Sequence, residues 1–253
     1  MKTVILAGGK GTRLMPYTAV LPKPLMPLGD RAILELVVRQ LAHQGLRDIT
    51  LSVSHLAHLV EAVFGSGSDY GVEITYVRED FPLGTAGPLR LVGDLDGTFL
   101  VLNGDLVTAL DYCDLIRRHR ASGNTITIAT KRREVRLDYG VIEIDSDNRD
   151  GARIIGFHEK PSIDRMVSMG IYVLEPEVLE LIPERRAFDF PELVNALLAD
   201  GTQRIGAYVY DGLWLDIGRH EDYEQAVTLH EEGSLELEAA LLSRVHARSV
   251  SSA

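Results

Sequence analysis

The sequence predicts an α/β protein, with a mainly parallel, mixed sheet lying between helices and a small antiparallel extension. Three observations carry that expectation. Short apolar runs at residues 3–7, 49–53, 72–77 and 99–102 alternate with stretches of helical period, the pattern of βαβ units and of a sheet covered on both faces. After residue 130 the strand candidates crowd together and are joined by turn-rich links such as Asp145-Ser146-Asp147-Asn148, which suits antiparallel additions. No internal repeat, low-complexity linker or clean composition break appears before about residue 232. One domain over 1–232 is therefore expected, followed by a helical tail over 233–253 that frays at its end.

Each element has its own reason. Residues 3–7 are a compact apolar run, the first buried strand. Over 32–43, Ile33, Leu34, Val37, Val38 and Leu41 share one helical face, and Gly45 supplies the stop. Residues 49–53 read as a strand, 56–64 as a helix, 72–77 as a strand, 86–92 as a helix and 99–102 as a strand. A helix over 112–121 stops at the Gly123-Asn124 turn, and the β-branched run 125–130 follows as a strand. Beyond it, 141–144, 153–157 and 169–174 read as strands. Residues 176–182 and 191–198 read as helices with proline near each start. A late strand over 204–210 and a closing helix over 221–231 complete the reading.

Composition excludes several function classes. The 253 residues carry 26 Lys and Arg against 37 Asp and Glu, a formal charge of −11. A protein so acidic is not expected to bind nucleic acid or an acidic membrane, since both are polyanions. Cys113 is the single cysteine, so neither an internal disulfide nor a cysteine-based metal finger is expected, and a reducing compartment suits the chain. No run approaches the ~18 apolar residues of a membrane span, and the apolar stretch at the start is short for a signal peptide. A soluble, cytoplasmic protein is the expectation. The charge is uneven, however. Residues 1–31 hold Lys2, Lys10, Arg13, Lys23 and Arg31 against Asp30, a local +4, which suits a small anion. Lysine is also scarce: only Lys2, Lys10, Lys23, Lys131 and Lys160 occur among the 26 basic residues.

Directly after the first strand comes Gly8-Gly9-Lys10-Gly11-Thr12-Arg13-Leu14. Glycines in that place either make an ordinary tight turn or let backbone N–H groups wrap a phosphate. The segment is not a Walker A loop, because no Gly-Lys-Ser/Thr closes it, and it lacks the third glycine of a dinucleotide fingerprint. Pro16, Thr18 and Leu21-Pro22-Lys23-Pro24-Leu25-Met26-Pro27-Leu28 follow. Prolines at 22, 24 and 27 forbid a helix and hold Lys23 on a stiff, extended segment. Asp105 follows the strand 99–102 at the end where α/β sheets place ligands, although Asn103-Gly104-Asp105 also reads as a plain turn. Asp216, in Trp214-Leu215-Asp216-Ile217-Gly218, also reads as a helix cap.

Taken together, Gly8-Gly9-x-Gly11-Thr12-Arg13-Leu14-x-Pro16-x-Thr18 and Pro22-Lys23-Pro24 closely resemble the signature of the sugar-phosphate nucleotidyltransferases, the nucleotide-sugar pyrophosphorylases. Further stations stand in the family's order: Leu83-Gly84-Thr85-Ala86-Gly87, Leu102-Asn103-Gly104-Asp105, Tyr139-Gly140, Glu159-Lys160-Pro161, Met169-Gly170-Ile171-Tyr172 and Trp214–Gly218. The resemblance runs to about residue 228 and implies a Rossmann-like three-layer sandwich with a sugar-binding antiparallel extension. It also implies that an NTP and a sugar 1-phosphate react to give an NDP-sugar and pyrophosphate. The attacking phosphate is already ionised near neutral pH, so such a reaction needs positioned cations rather than a base or nucleophile.

The resemblance further implies roles. Arg13 and Lys23 would be catalytic, countering charge at the α-phosphate. Leu6, Ala7, Gly8, Gly9, Gly11 and Thr12 would hold the nucleotide, with Gly84, Thr85 and Ala86 at the base and Asn103 and Gly104 nearby. Gly140, Glu159, Lys160 and Gly170 would bind the sugar phosphate, with Lys160 gripping the phosphate as a point charge. Ser168 stands where related sequences often show Asn. Asp105 and Asp216 would bind Mg²⁺. The likeness is strongest to mannose-1-phosphate guanylyltransferases and their heptose or cyclitol-phosphate relatives, which favours GTP. No C-terminal β-helix is expected, and a dimer is favoured, with the helix over 229–250 as one contact. A non-catalytic nucleotide-sugar sensor on the same fold is the second reading, and a dinucleotide oxidoreductase the third.

Other residues read more plainly. His55 and His58 are expected to be packed or solvated, Cys113 to pack without reactivity, and 131–136 to form a basic loop.

Overall fold

The computed structural model describes residues 1–9, 11–145, 152–218 and 220–242; Lys10 and the last part of the expected tail, 243–253, lie outside the described residues. β1 (Lys2–Leu6) opens the chain with Val4 and Ile5 fully buried, as a strand covered on both faces requires. Residues 11–26 contain only single 3-10 turns and lead into a minimal hairpin, β2 (Pro27–Leu28) with β3 (Arg31–Ala32). α1 (Ile33–His43) buries Ile33, Leu34, Val37, Val38 and Leu41, the face that the i, i+3, i+4 spacing marks.

β4 (Asp48–Val53), α2 (Ala57–Phe64), β5 (Glu73–Arg78) and β6 (Phe99–Asn103) continue the βαβ alternation. β7 (Leu106–Thr108) and α3 (Tyr112–Ser122) follow. Asp111 caps α3 by accepting from Asp114 N at 2.8 Å, and Gly123 ends it in the left-handed region. β8 (Ile126–Arg136), β9 (Val141–Ile144), β10 (Ile154–His158) and β11 (Ser162–Leu174) form the β-rich part. α4 (Phe190–Asp200), β12 (Ile205–Val209), β13 (Trp214–Asp216) and α5 (His220–Leu242), kinked at Gly233, complete the described chain.

The main sheet has the order β12-β8-β11-β6-β1-β4-β5. β1 pairs in parallel with β4 and β6, β4 with β5, and β8 with β12. Only β11 runs antiparallel to its neighbours, β6 and β8. The sheet is therefore mixed and mainly parallel. Successive strands after β1 step one way to β4 and β5, then return to its other side at β6. The crevice at such a reversal, outside the carboxyl ends of the strands, is where α/β sheets bind ligands.

Several elements depart from their sequence patterns. Residues 86–92 and 176–182 form 3-10 turns, Gly87–Leu91 and Pro176–Leu181, rather than α-helices, each with a proline in its first turn. Residues 131–136 are no loop: their charged side chains alternate along the outer half of β8, paired with the first half of β11. β7 and β13 pair antiparallel, Leu215 with Val107 and Asp216 with Leu106, and three-residue strands leave too short a period to read. The proline-rich segment holds a 3-10 turn, Lys23–Leu25. His55 precedes α2 while His58 lies in it, so the two share no helix face. Cys113 is exposed, hydrogen-bonded to the Gln44 carbonyl at 3.3 Å, and burial around its sulfur pushes the thiol pKa up.

Leu100 sits in the middle of the sheet with no exposed surface. Leu100→Ala is expected to lower stability by about 2–5 kcal/mol, measured as the shift in urea midpoint at unchanged m-value.

Candidate active site

A pocket of about 460 Å³ opens at the carboxyl ends of the parallel strands. Its walls are built from the ends of the strands and the residues that leave them: Leu6 to Gly9 at the end of β1, Ser54 after β4, Glu79 after β5, and Asn103 and Asp105 at the end of β6. Gly8 is a close-approach position, because a Cβ there would stand 2.7 Å from Glu79 Oε1 and 3.1 Å from Ser54 Cβ. At the other end of the same turn Gly11 has φ +60, and a Cβ there would meet Thr18 Cγ2 at 2.8 Å and Lys23 Cβ at 3.1 Å. The glycine turn thus runs from Glu79 to Lys23, and its compactness joins the two ends of the pocket. Thr18 locks it by donating to the Gly11 carbonyl at 2.8 Å.

One end of the pocket is charged. The Lys23 ammonium contacts Asp105 Oδ2 and stands 3.6 Å from Asp216 Oδ1, with Lys23 and Asp105 nearly buried. Burial pulls the lysine below its usual pKa range, the Asp216 charge opposes that pull, and Arg13 adds to it. Asp105 is carried on the turn between β6 and β7, where Gly104 N donates to the Leu6 carbonyl at 2.9 Å. Asp216 ends β13 rather than capping a helix, and accepts from Gly218 N at 2.9 Å. Ile217 N donates to the Asp105 carbonyl at 3.1 Å, so the two carboxylates are tied through the backbone. Arg13 and Thr12 line the pocket beside them.

The other end is formed by Pro82, Gly84, Thr85 and Pro88 around a carboxylate. Glu79 accepts from Leu83 N at 2.9 Å through Oε2 and from Ser52 Oγ at 3.3 Å through Oε1. Half-burial raises its pKa, and those two hydrogen bonds hold the rise back. Thr85 caps no helix of its own. Its N–H and hydroxyl both donate to Asp189 Oδ1, at 2.7 and 3.0 Å, and its oxygen accepts from Phe190 N at 2.9 Å. Asp189 also makes a capping box with Glu192 at the start of α4. The loop 83–87 is therefore bolted to α4, and Gly84, with φ +78, leaves no room for a Cβ against the Phe188 carbonyl at 2.7 Å.

Residues 2–233 match the family described as Nucleotidyl transferase. The chain belongs to the nucleotidyl transferase family. It is 36% identical to a UTP–glucose-1-phosphate uridylyltransferase of Synechocystis sp., over 90% of this chain and 62% of that protein. It is likewise 36% identical to a mannose-1-phosphate guanyltransferase of Schizosaccharomyces pombe, over 91% of this chain and 64% of that one. The chain thus spans less than two thirds of the length of these curated relatives. Among solved structures, HddC from Yersinia pseudotuberculosis superposes with a TM-score of 0.69 at 28% identity, covering 90% of this chain and 98% of that one. The same protein complexed with GMP-PN gives a TM-score of 0.67.

Measured against this family, the residues that the sequence singles out divide into three groups. Leu6, Ala7, Gly8, Gly9, Gly11, Thr12, Arg13, Lys23, Gly84, Thr85, Asn103 and Asp105 line the one pocket, and Asp216 meets Lys23 at its edge. Ala86 and Gly104 stand behind the wall: Ala86 is fully buried with its N–H donated to the Phe188 carbonyl, and Gly104 packs against β1. The sugar-phosphate candidates lie outside the pocket lining. Gly170, with φ +70, presses on Asn103, where a Cβ would stand 2.5 Å from Nδ2. Gly140 and Glu159 adjoin one another beside the β9–β10 hairpin, since a Cβ on Gly140 would lie 3.3 Å from Glu159 Oε2. Lys160 is exposed and holds φ +43. Ser168 donates to Tyr172 Oη at 3.1 Å and accepts from Gly170 N at 3.2 Å, closing the bulge in β11. Among the described residues no group of three or more His, Cys, Asp or Glu gathers as a metal cluster, and no helix is long and apolar enough to cross a membrane.

The sequence reading missed Ser54, Glu79, Pro82 and Pro88, and named Gly218 only as part of the Asp216 motif. Ser54 and Glu79 carry a usable signal, for each is the first residue after a parallel strand, the position of ligand contacts in such sheets.

Removing Lys23 would take away the cation that lies between Asp105 and Asp216. Lys23→Ala is expected to cost about 3 kcal/mol or more in metal-free buffer, and adding Asp105→Asn should recover part of that loss. Equilibrium denaturation of the double-mutant cycle measures the coupling.

Proposed function

We propose that the chain transfers a nucleoside monophosphate from an NTP to a sugar 1-phosphate, giving an NDP-sugar and pyrophosphate, with residues 1–232 as the catalytic domain. The observation that carries this reading is that a glycine turn joins an end holding Arg13, Lys23 and the Asp105–Asp216 carboxylate pair to an end of small residues around Glu79. In the reaction an oxygen of the sugar phosphate attacks the α-phosphorus, the α–β bridging bond breaks, and its electrons leave on pyrophosphate. Both reactants are anions, so the chain's task is to align them and offset charge. Arg13 and Lys23 counter charge at the α-phosphate and on the departing pyrophosphate. The N–H groups of Gly8, Gly9, Gly11 and Thr12 wrap the outer phosphates. Leu6, Ala7, Asn103 and Gly104 back the nucleoside, and Gly84, Thr85 and Ala86 form the base loop. Gly140, Glu159, Lys160 and Gly170 receive the sugar phosphate, Lys160 as a point charge.

The metal assigned to this reaction is Mg²⁺, held by Asp105 and Asp216. These carboxylates fit such an ion, since they already share one cation, the Lys23 ammonium, and are hard oxygen donors. When bound, Mg²⁺ supplies charge neutralisation on the phosphates. The chain is taken to act in solution as a cytoplasmic enzyme and as a dimer.

GTP is favoured for a chemical reason. Guanine presents two adjacent donors, N1–H and the 2-amino group, and a carboxylate accepts a pair of donors side by side. Uracil and thymine flank their one donor with carbonyl oxygens, which a carboxylate repels. Glu79 is the half-buried carboxylate at the base end. The likeness to guanyltransferases and to the GMP-PN-binding HddC points the same way. The uridylyltransferase relative makes UTP with glucose 1-phosphate the competing pair, and a mannose 1-phosphate-like sugar is the favoured acceptor.

A pyrophosphate-release screen of four NTPs against sugar and cyclitol 1-phosphates tests the reading. The highest turnover is expected with GTP and a mannose-type sugar. Nucleotide binding without release from any pair would instead favour a sensor. Arg13→Ala, Lys23→Ala and Asp105→Asn should each lower kcat by roughly 10²–10³-fold.

Glu79 must be ionised to accept from guanine, and its pKa is raised. GTP affinity should therefore fall on acidification from a higher pH than an ordinary carboxylate would set. Glu79→Gln should abolish that acid limb and cut the preference for GTP over UTP by about 10- to 100-fold, as read by nucleotide titration across pH.

A further inference from the structure

Beneath the charged end of the pocket lies a small apolar core distinct from the two main ones. Each charged residue of that end has chain neighbours inserted into it. Leu14 follows Arg13, and Met26 and Leu28 follow Lys23. Val107 follows Asp105, and Leu215 and Ile217 flank Asp216. The element that closes this core is α5, through fully buried Ala226 and partly buried Tyr223.

Helix α5 is fastened at three levels. Asp222 in its first turn is 2% exposed and paired with Arg133, whose guanidinium lies 5.5 Å from the Trp214 ring. One residue on, Tyr223 Oη donates to the Pro27 carbonyl at 2.8 Å. Further along, His230 packs on Gly29, where a Cβ would lie 1.9 Å from Nε2. The helix begins shortly after Asp216 in the chain and grips the β2–β3 hairpin, which begins shortly after Lys23. One helix therefore touches both segments whose charges must meet.

We propose that α5 sets the separation of Lys23 from Asp105 and Asp216, with Tyr223 and Ala226 as its positioning residues. The proposal rests on the role given above to the charged end. Neither residue lines the pocket, so neither acts on substrate. Tyr223 fixes the hairpin along the helix through one hydrogen bond, and Ala226 fixes how closely the helix approaches Leu28 and Ile217. A larger side chain at 226 would push both segments outward, because a packed interior yields little.

The test compares Tyr223→Phe and Ala226→Val with Thr228→Ala, which removes only a hydrogen bond within α5, from Thr228 Oγ1 to the Glu224 carbonyl. Backbone hydrogen exchange over 22–28 and 214–218 reads position without requiring turnover. Tyr223→Phe should speed exchange in both segments about fivefold or more and leave α1 and β4 as in the wild type. In the same variant kcat should fall about three- to tenfold, with KM for each substrate within about twofold. Thr228→Ala should change neither readout. Wild-type exchange in both segments of Tyr223→Phe would overturn the proposal, as would a lowered unfolding midpoint with kcat per folded molecule unchanged. A wild-type protein that turns over no NTP and sugar phosphate pair overturns the proposed reaction alone, and the exchange readout still decides the role of α5.

Discussion

The ammonium of Lys23 lies between the carboxylates of Asp105 and Asp216, three groups that arrive from distant parts of the chain. Nearly buried charges are costly unless paired, and this arrangement pairs them at the mouth of a sheet where the chain order reverses. The surrounding structure follows from that requirement. The proline-rich segment is stiff because it must deliver one lysine. Asn103-Gly104-Asp105 is folded back on β1 because Gly104 leaves room for it. β13 exists as three residues paired with β7, which is enough to bring Asp216 beside Asp105.

The acidic character of the chain looks at first like a poor match for two anionic substrates. The opening segment answers this locally, with Arg13 and Lys23 both on the pocket wall, where they offset Asp105 and Glu79. Short-range fields decide binding inside a pocket, since solvent and salt screen the distant charges. The net charge of −11 thus bears on solubility and on the exclusion of polyanions. The pocket's own cations bear on the phosphates.

Most of the alternation of strands and helices over the first 130 residues was legible, 86–92 and β7 excepted, because those elements are long enough to show their period and are buried on a defined face. Legibility failed where elements were short or exposed. β7 and β13 span three residues each, less than two full alternations. The outer half of β8 is charged on exposed positions, so it reads as loop although pairing with β11 makes it strand. The glycine turn, Lys23 and Asp105 could be picked out because glycine, proline and a strand-end acid each have a local physical meaning. Glu79 also follows a strand directly, but between Arg78 and Asp80 that signal is masked, and it stands out only once the sheet brings Gly8 against it.

By itself, then, the sequence determined the sheet class, the stiff glycine- and proline-rich opening, and the family to which its motifs belong. These depend on backbone preferences and periodicity, which are local. Tertiary structure alone decided that Asp216 meets Lys23, that Thr85 is held by Asp189 rather than capping its own turn, and that α5 lies across the hairpin after Lys23. Those are contacts between residues far apart in sequence, and no local preference encodes which distant partner will fill a given space.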